Sequence, residues 1–375
     1  LETARATGTP TLSPKLEVTA SATNIPTPTP TAEQECLTIE DTLPQDLGLN
    51  GVWVYGGFQP YLENIATKER IAIPLRGGTL FSTLRNDSQV SPDGKWLAYI
   101  DTHLKNGRTS RRILRAISSA GYTMDMNYWP GDFQWISGWT TNGRLILDEN
   151  PYSTFHRKYV ILDPFTAEYQ EFHPEWLGQI RPSWQEDIWL SPRLNYVAIL
   201  NHDDEGFQIR DVNTGNTLLN SSGWGSNPNQ IVWSPRGTNL AVLEEEYEGG
   251  TLHLFQAGRE TIQHLPGVGF FPELRWSPDE QTLLVVDSSR PRIIEIKTGK
   301  SFPLCIDDPN HTYSWYDATW SPEGDFVVAG ITRESSSPKY YSWEPFDLLV
   351  DLEEKRGFLL PATYLSHREA WLAAP

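Results

Sequence analysis

Cations are scarce in this chain. Lys and Arg number 30 against 48 Asp and Glu, a formal charge of −18, and charged residues of both signs make up only 21% of the 375 positions. Such a chain repels a phosphate backbone, which excludes nucleic acid as the expected partner. Long apolar runs are missing too: stretches such as Leu283 to Val286 are strand-sized, far below the roughly 18 to 20 residues of a membrane-spanning helix. The chain opens on Leu1 with no charged start and no apolar segment of signal-peptide type, so a removed leader is an expectation only. The two cysteines, Cys36 and Cys305, allow one intramolecular bond, which suits an exported protein and a cytosolic one equally.

What is abundant is turn and aromatic chemistry. Gly and Pro each number 28 and Trp numbers 15, a balance that fits many short strands and disfavours helices. Length alone would suggest two or three domains, but the organisation of the chain replaces that estimate. Residues 1–35 are dominated by Thr, Pro, Ser and Ala without strand or helix periodicity. They cannot offset their conformational entropy by burial and are expected to form a disordered, extended tether. Spacers of this kind resemble those between a membrane or cell-wall anchor and an exported bacterial domain, with O-linked sugar as an added option; the plainer reading is an ordinary disordered terminus. A lead-in at 36–50 follows, and 51–375 carry a repeat.

The repeat is VSPDGKWLAYID from Val90, LSPRLNYVAILN from Leu190, WSPRGTNLAVLE from Trp233, WSPDEQTLLVVD from Trp276 and WSPEGDFVVAGI from Trp320. Shorter copies start at Trp139 and Leu365. The Ser positions fall at 91, 140, 191, 234, 277, 321 and 366, and a period of 40 to 50 residues with strand-like units indicates a propeller. Each unit reads as a strand ending in an aromatic or Leu, a tight Ser-Pro-Asp-Gly turn, and a second apolar strand. Further hairpins turn around Asp163–Ala167, Asn213–Gly215, Ala257–Gly258, Lys297–Gly299 and Glu353–Gly357. Strands a to d then complete a four-stranded antiparallel blade. The fold expected is an all-β, seven-bladed propeller, with six or eight blades as the neighbouring counts. A c–d pair at Gly51 and Lys68 and an a–b pair at Leu365 to Ala374 would share the closing blade two plus two, which removes the exposed sheet edges.

The aromatic-Ser-Pro-Asp-Gly turn resembles the WD-repeat-like units of the TolB propeller family and of the propellers attached to prolyl oligopeptidases. The resemblance runs from Gly51 to the C-terminus and implies the fold. The α/β domain that precedes the TolB propeller is not expected ahead of this one, seven units stand in place of six, and no Gly-x-Ser-x-Gly elbow of a peptidase occurs. Fold alone assigns no function.

In a propeller the a–b and c–d turns share one face and the b–c and d–a loops the other, where recognition is expected. The loop-face aromatics Trp129, Trp176, Trp184, Trp224, Phe271, Tyr313, Trp315 and Tyr316 serve either blade packing or the binding of a sugar or peptide. Ten residues after the template Ser stand Asp101, Asn201, Glu244 and Asp287, with Asp148 in the shortened copy. Such a ring of oxygens near the axis would hold Ca²⁺ or attract a cationic partner; solvated strand ends explain it equally. No histidine pair has zinc spacing. Cys36 and Cys305 both map near the loop face and are expected to be bonded, pinning the tail across that face. The leading reading is therefore an extracytoplasmic, non-enzymatic propeller without cofactor, a monomer or a subunit of a surface assembly, that binds protein or surface glycan. The rival is a Ca²⁺-dependent hydrolase or lyase using the carboxylates.

Overall fold

The computed structural model describes residues 23–24, 36–40, 42–44, 47–56, 59–74, 88–105, 108–126, 133–149, 158–172, 174, 176, 186–201, 206–222, 228–246, 249–256, 259–266, 272–287, 291–309, 311–335, 343–362 and 368–375. Among them are strands and turns and no helix. Seven antiparallel four-stranded sheets succeed one another. Blade 1 is built, in order a to d, from Ser88–Val90, Trp96–Lys105, Arg108–Ser118 and Thr123–Met126. Blade 2 is Phe133–Trp139, Leu145–Glu149, Lys158–Leu162 and Tyr169–Phe172; blade 3 is Glu186–Leu190, Tyr196–Asn201, Gly206–Asp211 and Thr217–Ser222. Blade 4 is Pro228–Trp233, Asn239–Glu246, Gly249–Gln256 and Arg259–Pro266; blade 5 is Glu273–Trp276, Thr282–Val286, Arg292–Glu295 and Ser301–Pro303. Blade 6 is His311–Trp320, Phe326–Ser335, Trp343–Asp351 and Arg356–Pro361, and blade 7 joins Arg368–Leu372 to Val52–Tyr55, Tyr61–Asn64 and Arg70–Ala72.

The template turn works through its hydroxyl. The Oγ of Ser91, Ser191, Ser234, Ser277 and Ser321 accepts the amide of the first residue of strand b, at 2.9 to 3.0 Å, and Thr140 does the same for Arg144. A buried side-chain acceptor thus satisfies a backbone donor that the tight turn would orphan. The template tryptophans act between blades. The indole N–H of Trp139, Trp233, Trp276 and Trp320 donates to a strand-a carbonyl of an earlier blade: Gln89, Trp189, Val232 and Arg275 respectively, at 2.9 to 3.2 Å. The seven apolar clusters follow the same logic, because each joins two successive blades and none belongs to one blade alone. One joins blades 6 and 7 and another blades 7 and 1, so the packing runs round a complete ring.

Closure departs from the two-plus-two expectation. Leu372, Trp371 and Ala370 pair antiparallel with Val52, Trp53 and Val54, in the register that Val90 has with Leu97. The C-terminal segment is therefore strand a alone, Val52–Tyr55 is strand b rather than c, and the closing blade is shared one plus three. Leu372, not Leu365, holds the position of the template aromatic, and Ser366 lies outside the described residues. The misreading has a simple cause: an apolar run after Leu-Ser reads as turn plus strand b, although the same run serves equally as strand a. Gly51 marks the join, since a Cβ there would lie 2.3 Å from the Leu372 carbonyl oxygen, on a backbone with φ of +101°.

Cys36 and Cys305 form a disulfide across 269 residues. The lead-in does not cross the loop face as expected. Leu37 instead bridges Ile306, and Thr38–Glu40 adds a parallel fifth strand to the outer edge of blade 6. A sheet edge offers unpaired backbone groups, whereas a loop face offers few, and this decides the path. Leu37 and Ile39 pack on the cluster between blades 5 and 6, and Leu43, Leu47 and Leu49 on that between blades 6 and 7. Within the expected tether, Thr23–Asn24 pairs in parallel with Thr261 and Ile262 of blade 4; the rest of 1–35 lies outside the described residues. Because the bond closes so long a loop, the Cys36→Ser/Cys305→Ser protein is expected to be less stable by up to about 5 kcal/mol in the chain-entropy limit. Scanning calorimetry checks it, with a drop in Tm of about 10 °C or less.

Candidate loop-face binding site

Strands a, b and c of blade 6 are nine or ten residues long, against four or five in blade 5. Strand a begins, strand b ends and strand c begins on the loop face, so the extra length carries side chains beyond the neighbouring blade. Cross-strand register then sets Tyr313 opposite Arg333 and Arg333 opposite Glu344. Arg333 donates to Glu344 Oε2 at 2.6 Å and lies 4.7 Å over the ring of Phe346. This hydrogen bond holds the guanidinium above its ordinary pKa. The Tyr313 hydroxyl donates to Asp308 Oδ2 at 2.7 Å, and His311 Nδ1 meets the same oxygen at 2.8 Å. Burial first, and then the bond to the Asp308 carboxylate, push the Tyr313 phenol well above its usual range. It stays a neutral donor at any physiological pH. The result is a surface of alternating charge with aromatic faces, half-exposed and held by its own hydrogen bonds.

The other expected loop aromatics separate. Trp315 is buried between blades 5 and 6, and Tyr316 covers Gly330, where a Cβ would come within 2.4 Å of its ring. Trp176 donates its indole N–H to the Val212 carbonyl at 2.6 Å, so it clamps blade 3 to the chain following blade 2. Trp315 and Trp176 thus belong to packing. Trp129, Trp184, Trp224 and Phe271 lie outside the described residues.

The carboxylates do not assemble into the expected ring. Asp101 is fully buried, on the side of strand b that faces blade 7, and pairs with Arg115 Nε at 3.3 Å. Arg115 in turn donates to the Pro74 carbonyl at 2.8 Å. Glu244 meets His253 Nε2 at 3.2 Å, while His253 Nδ1 meets Glu260 at 2.9 Å, all three buried. Asp287 is buried, and Asn201 sits in strand b of blade 3 paired with Gly206. Asp148 lines the central channel, a space of about 820 Å³ between the strands a. Among the described residues no group of three or more His, Cys, Asp or Glu is placed to hold a metal ion. Strand alternation accounts for two of the five: on strand b a residue faces one neighbouring blade or the other, and Asp101 and Glu244 meet partners on strand c.

Sequence reasoning missed Asp308, Arg333, Glu344 and Phe346. Arg333 and Glu344 are eleven positions apart, and only the register of the long b–c hairpin makes them neighbours. The length of the run was the available signal, because WSPEGDFVVAGITRES continues past its turn for as long as VSPDGKWLAYIDTHLK does, further than the copies at Leu190, Trp233 and Trp276.

No protein-family model matches the chain, and no curated protein matches it. Among solved structures it is similar to TolB from Acinetobacter baumannii, at 13% identity and a TM-score of 0.44 over 88% of this chain and 68% of that one. It is also similar to the β-propeller domain of Myceliophteria thermophila Cps50 (Swd1), at 14% identity and a TM-score of 0.44 over 76% and 99%. Kuenenia stuttgartiensis hydrazine synthase aligns at 12% identity and a TM-score of 0.44 over 78% and 100%. At these values the likenesses carry no activity or partner to this chain.

Proposed function

We propose that this protein is an extracytoplasmic binding scaffold that recognises a protein partner through the loop end of blade 6. The observation that carries the reading is the half-exposed set His311, Tyr313, Arg333, Glu344 and Phe346, held on long paired strands, with Asp308 of the preceding connection bonded to His311 and Tyr313. Arg and Tyr held this way lose little conformational freedom on binding, which is why such residues dominate the energetics of interfaces. The Cys36–Cys305 bond supports an oxidising compartment. The Thr/Pro composition of 1–35 supports a spacer that holds the propeller away from a surface. A surface glycan is the second ligand class, since Tyr313 and Phe346 offer stacking faces beside hydrogen-bonding groups.

The test is quantitative capture from an extracytoplasmic extract of the source cells, run beside a glycan array. Arg333→Ala and Tyr313→Ala are expected to weaken retention of a specific protein by about tenfold or more, with the melting temperature little changed. Retention that ignores both substitutions would overturn the assignment to blade 6, and array binding lost in the same variants would make the ligand a glycan.

A further inference from the structure

The sequence holds three Asn-Gly pairs, at 50–51, 106–107 and 142–143; the second lies outside the described residues. Such a pair is chemically labile, because a glycine amide has no side chain to shield it and can attack the carboxamide of the residue before it. The fold treats the two described pairs differently. At 142–143 both reacting groups are engaged: the Gly143 amide donates to the Thr140 carbonyl at 3.0 Å, and Asn142 Oδ1 accepts from Thr140 Oγ1. At 50–51 the Gly51 amide donates to the Oδ1 of Asn50 itself, at 2.8 Å. That contact brings the nitrogen beside Cγ, the carbon which carries the oxygen and which the nitrogen would attack. Asn50 is exposed to water.

Ring closure is what keeps this pair in place. Gly51 has a φ of +101°, and a Cβ there would collide with the Leu372 carbonyl oxygen, so a side chain at 51 is both strained and obstructed. On one side of the Asn50–Gly51 peptide bond, the Asn50 carbonyl accepts the indole N–H of Trp371 at 2.8 Å. On the other, the Gly51 carbonyl accepts the Ile65 amide at 3.1 Å. One peptide bond therefore joins two fixed points of the closing blade.

We propose that Asn50 is a site of spontaneous covalent modification that loosens ring closure. The Gly51 nitrogen gives its proton to a solvent base and bonds to Asn50 Cγ; the Cγ–Nδ2 bond breaks, and that nitrogen leaves with a proton from water as ammonia. Water then opens the five-membered imide. Cleavage of the new N–Cγ bond gives aspartate on an unchanged backbone, with a carboxylate that still accepts the Gly51 amide. Cleavage of the bond from the Gly51 nitrogen to the Asn50 carbonyl carbon gives isoaspartate, in which the chain runs through Cγ. The backbone is then one atom longer, and the carbonyl that held Trp371 becomes a pendant carboxylate. A longer link cannot keep both the Trp371 bond and the seat of Gly51 under Leu372, so the isoaspartate form is the one that weakens the closing blade. Water is the only co-reactant, and the site is independent of the blade 6 surface.

Peptide mapping by mass spectrometry on the full chain, sampled during incubation in neutral and in mildly alkaline buffer, tests this. Asn50 is expected to gain one mass unit at least about tenfold faster than Asn142, where two hydrogen bonds have to break before attack, and faster still in the alkaline buffer. In the urea-unfolded chain the two sites should convert at similar rates, which assigns the difference to the fold. Isoaspartate-specific enzymatic methylation should label the Asn50 peptide, and the aged protein should melt a few degrees lower than the fresh one. Asn50→Ser keeps an oxygen beside the Gly51 amide but cannot cyclise, so its Tm should not change over the same incubation. Asn50→Asp should melt like the fresh parent. Conversion at Asn50 no faster than at Asn142 in the folded chain would overturn the site. Isoaspartate at Asn50 without a fall in Tm, or an equal fall in Asn50→Ser, would overturn its effect on closure.

Discussion

Removal of residues 368–375 is expected to abolish cooperative folding. The deleted strand supplies Leu372, Trp371 and Ala370, all buried, and its loss uncovers Val52, Trp53 and Val54, which are at most 2% exposed. It also breaks the ladder to strand b and the indole bond from Trp371 to the Asn50 carbonyl at 2.8 Å. Truncating a single buried Trp costs about 3–5 kcal/mol, and a domain has about 5–15 kcal/mol in total. Loss of the whole strand therefore exceeds what the ring can absorb. The expected result is an insoluble product, or a soluble one that binds a hydrophobic dye and melts without a transition. Trp371→Phe, which keeps the strand and loses the indole donor, should fold with a lower Tm; a cooperative melt from the truncated chain would show that the other six blades stand without closure.

The ion pair that seats this strand should give the largest effect of any single substitution. Asp347 of blade 6 is fully buried and accepts from Arg368 Nη1 at 2.5 Å and from its amide at 3.2 Å. The guanidinium also lies 4.1 Å over Trp53 and 4.9 Å over Tyr55, so one side chain holds strands of both chain termini against blade 6. Burial dominates the carboxyl and raises it to about 6, against the opposing pull of Arg368. A folded-state pKa raised above the unfolded one means that this group's contribution to stability is full below about pH 4 and is lost as pH rises through 6. At neutral pH the carboxylate is ionised and depends on Arg368. Arg368→Met leaves that anion buried without its cation, at an expected cost of about 3–5 kcal/mol near pH 7.5. The cost should shrink toward pH 5, where the carboxyl takes up a proton, and Asp347→Asn in the same background should restore much of it at pH 7.5. Urea unfolding at the two pH values checks this. A pH-independent loss, or no rescue by Asp347→Asn, would mean that Arg368 acts only through its packing on Trp53 and Tyr55.

The repeat made the architecture legible because each Ser-Pro-Asp-Gly turn does the same local work and each Trp has the same inter-blade acceptor. Even the two turns without Gly at the left-handed position, at Leu194 and Glu280 with φ of 56° and 65°, keep the template; Glu280 spends its carboxylate on Arg236 and Thr238 of the adjacent turn. The disulfide was legible from topology. What escaped was whatever depends on register. The closing strand looked like strand b because strands a and b share their hydrophobic content. Asp101 and Glu244 looked axial because position along a strand was visible while the partners Arg115 and His253, on a different strand, were not. The Arg333–Glu344 pair was hidden for the same reason. Aromatic residues carried the least information, since Trp315 and Tyr313 stand two positions apart on one strand and pack on the same cluster, yet one is buried and the other half-exposed.

Hydrogen exchange across the closing blade, followed by mass spectrometry on the intact protein, tests the ring most directly. A one-plus-three closure requires the peptide covering 368–375 to exchange in step with that covering 282–286 at the centre of blade 5, both limited by global unfolding. Exchange of 368–375 within seconds while 282–286 remains protected would contradict it.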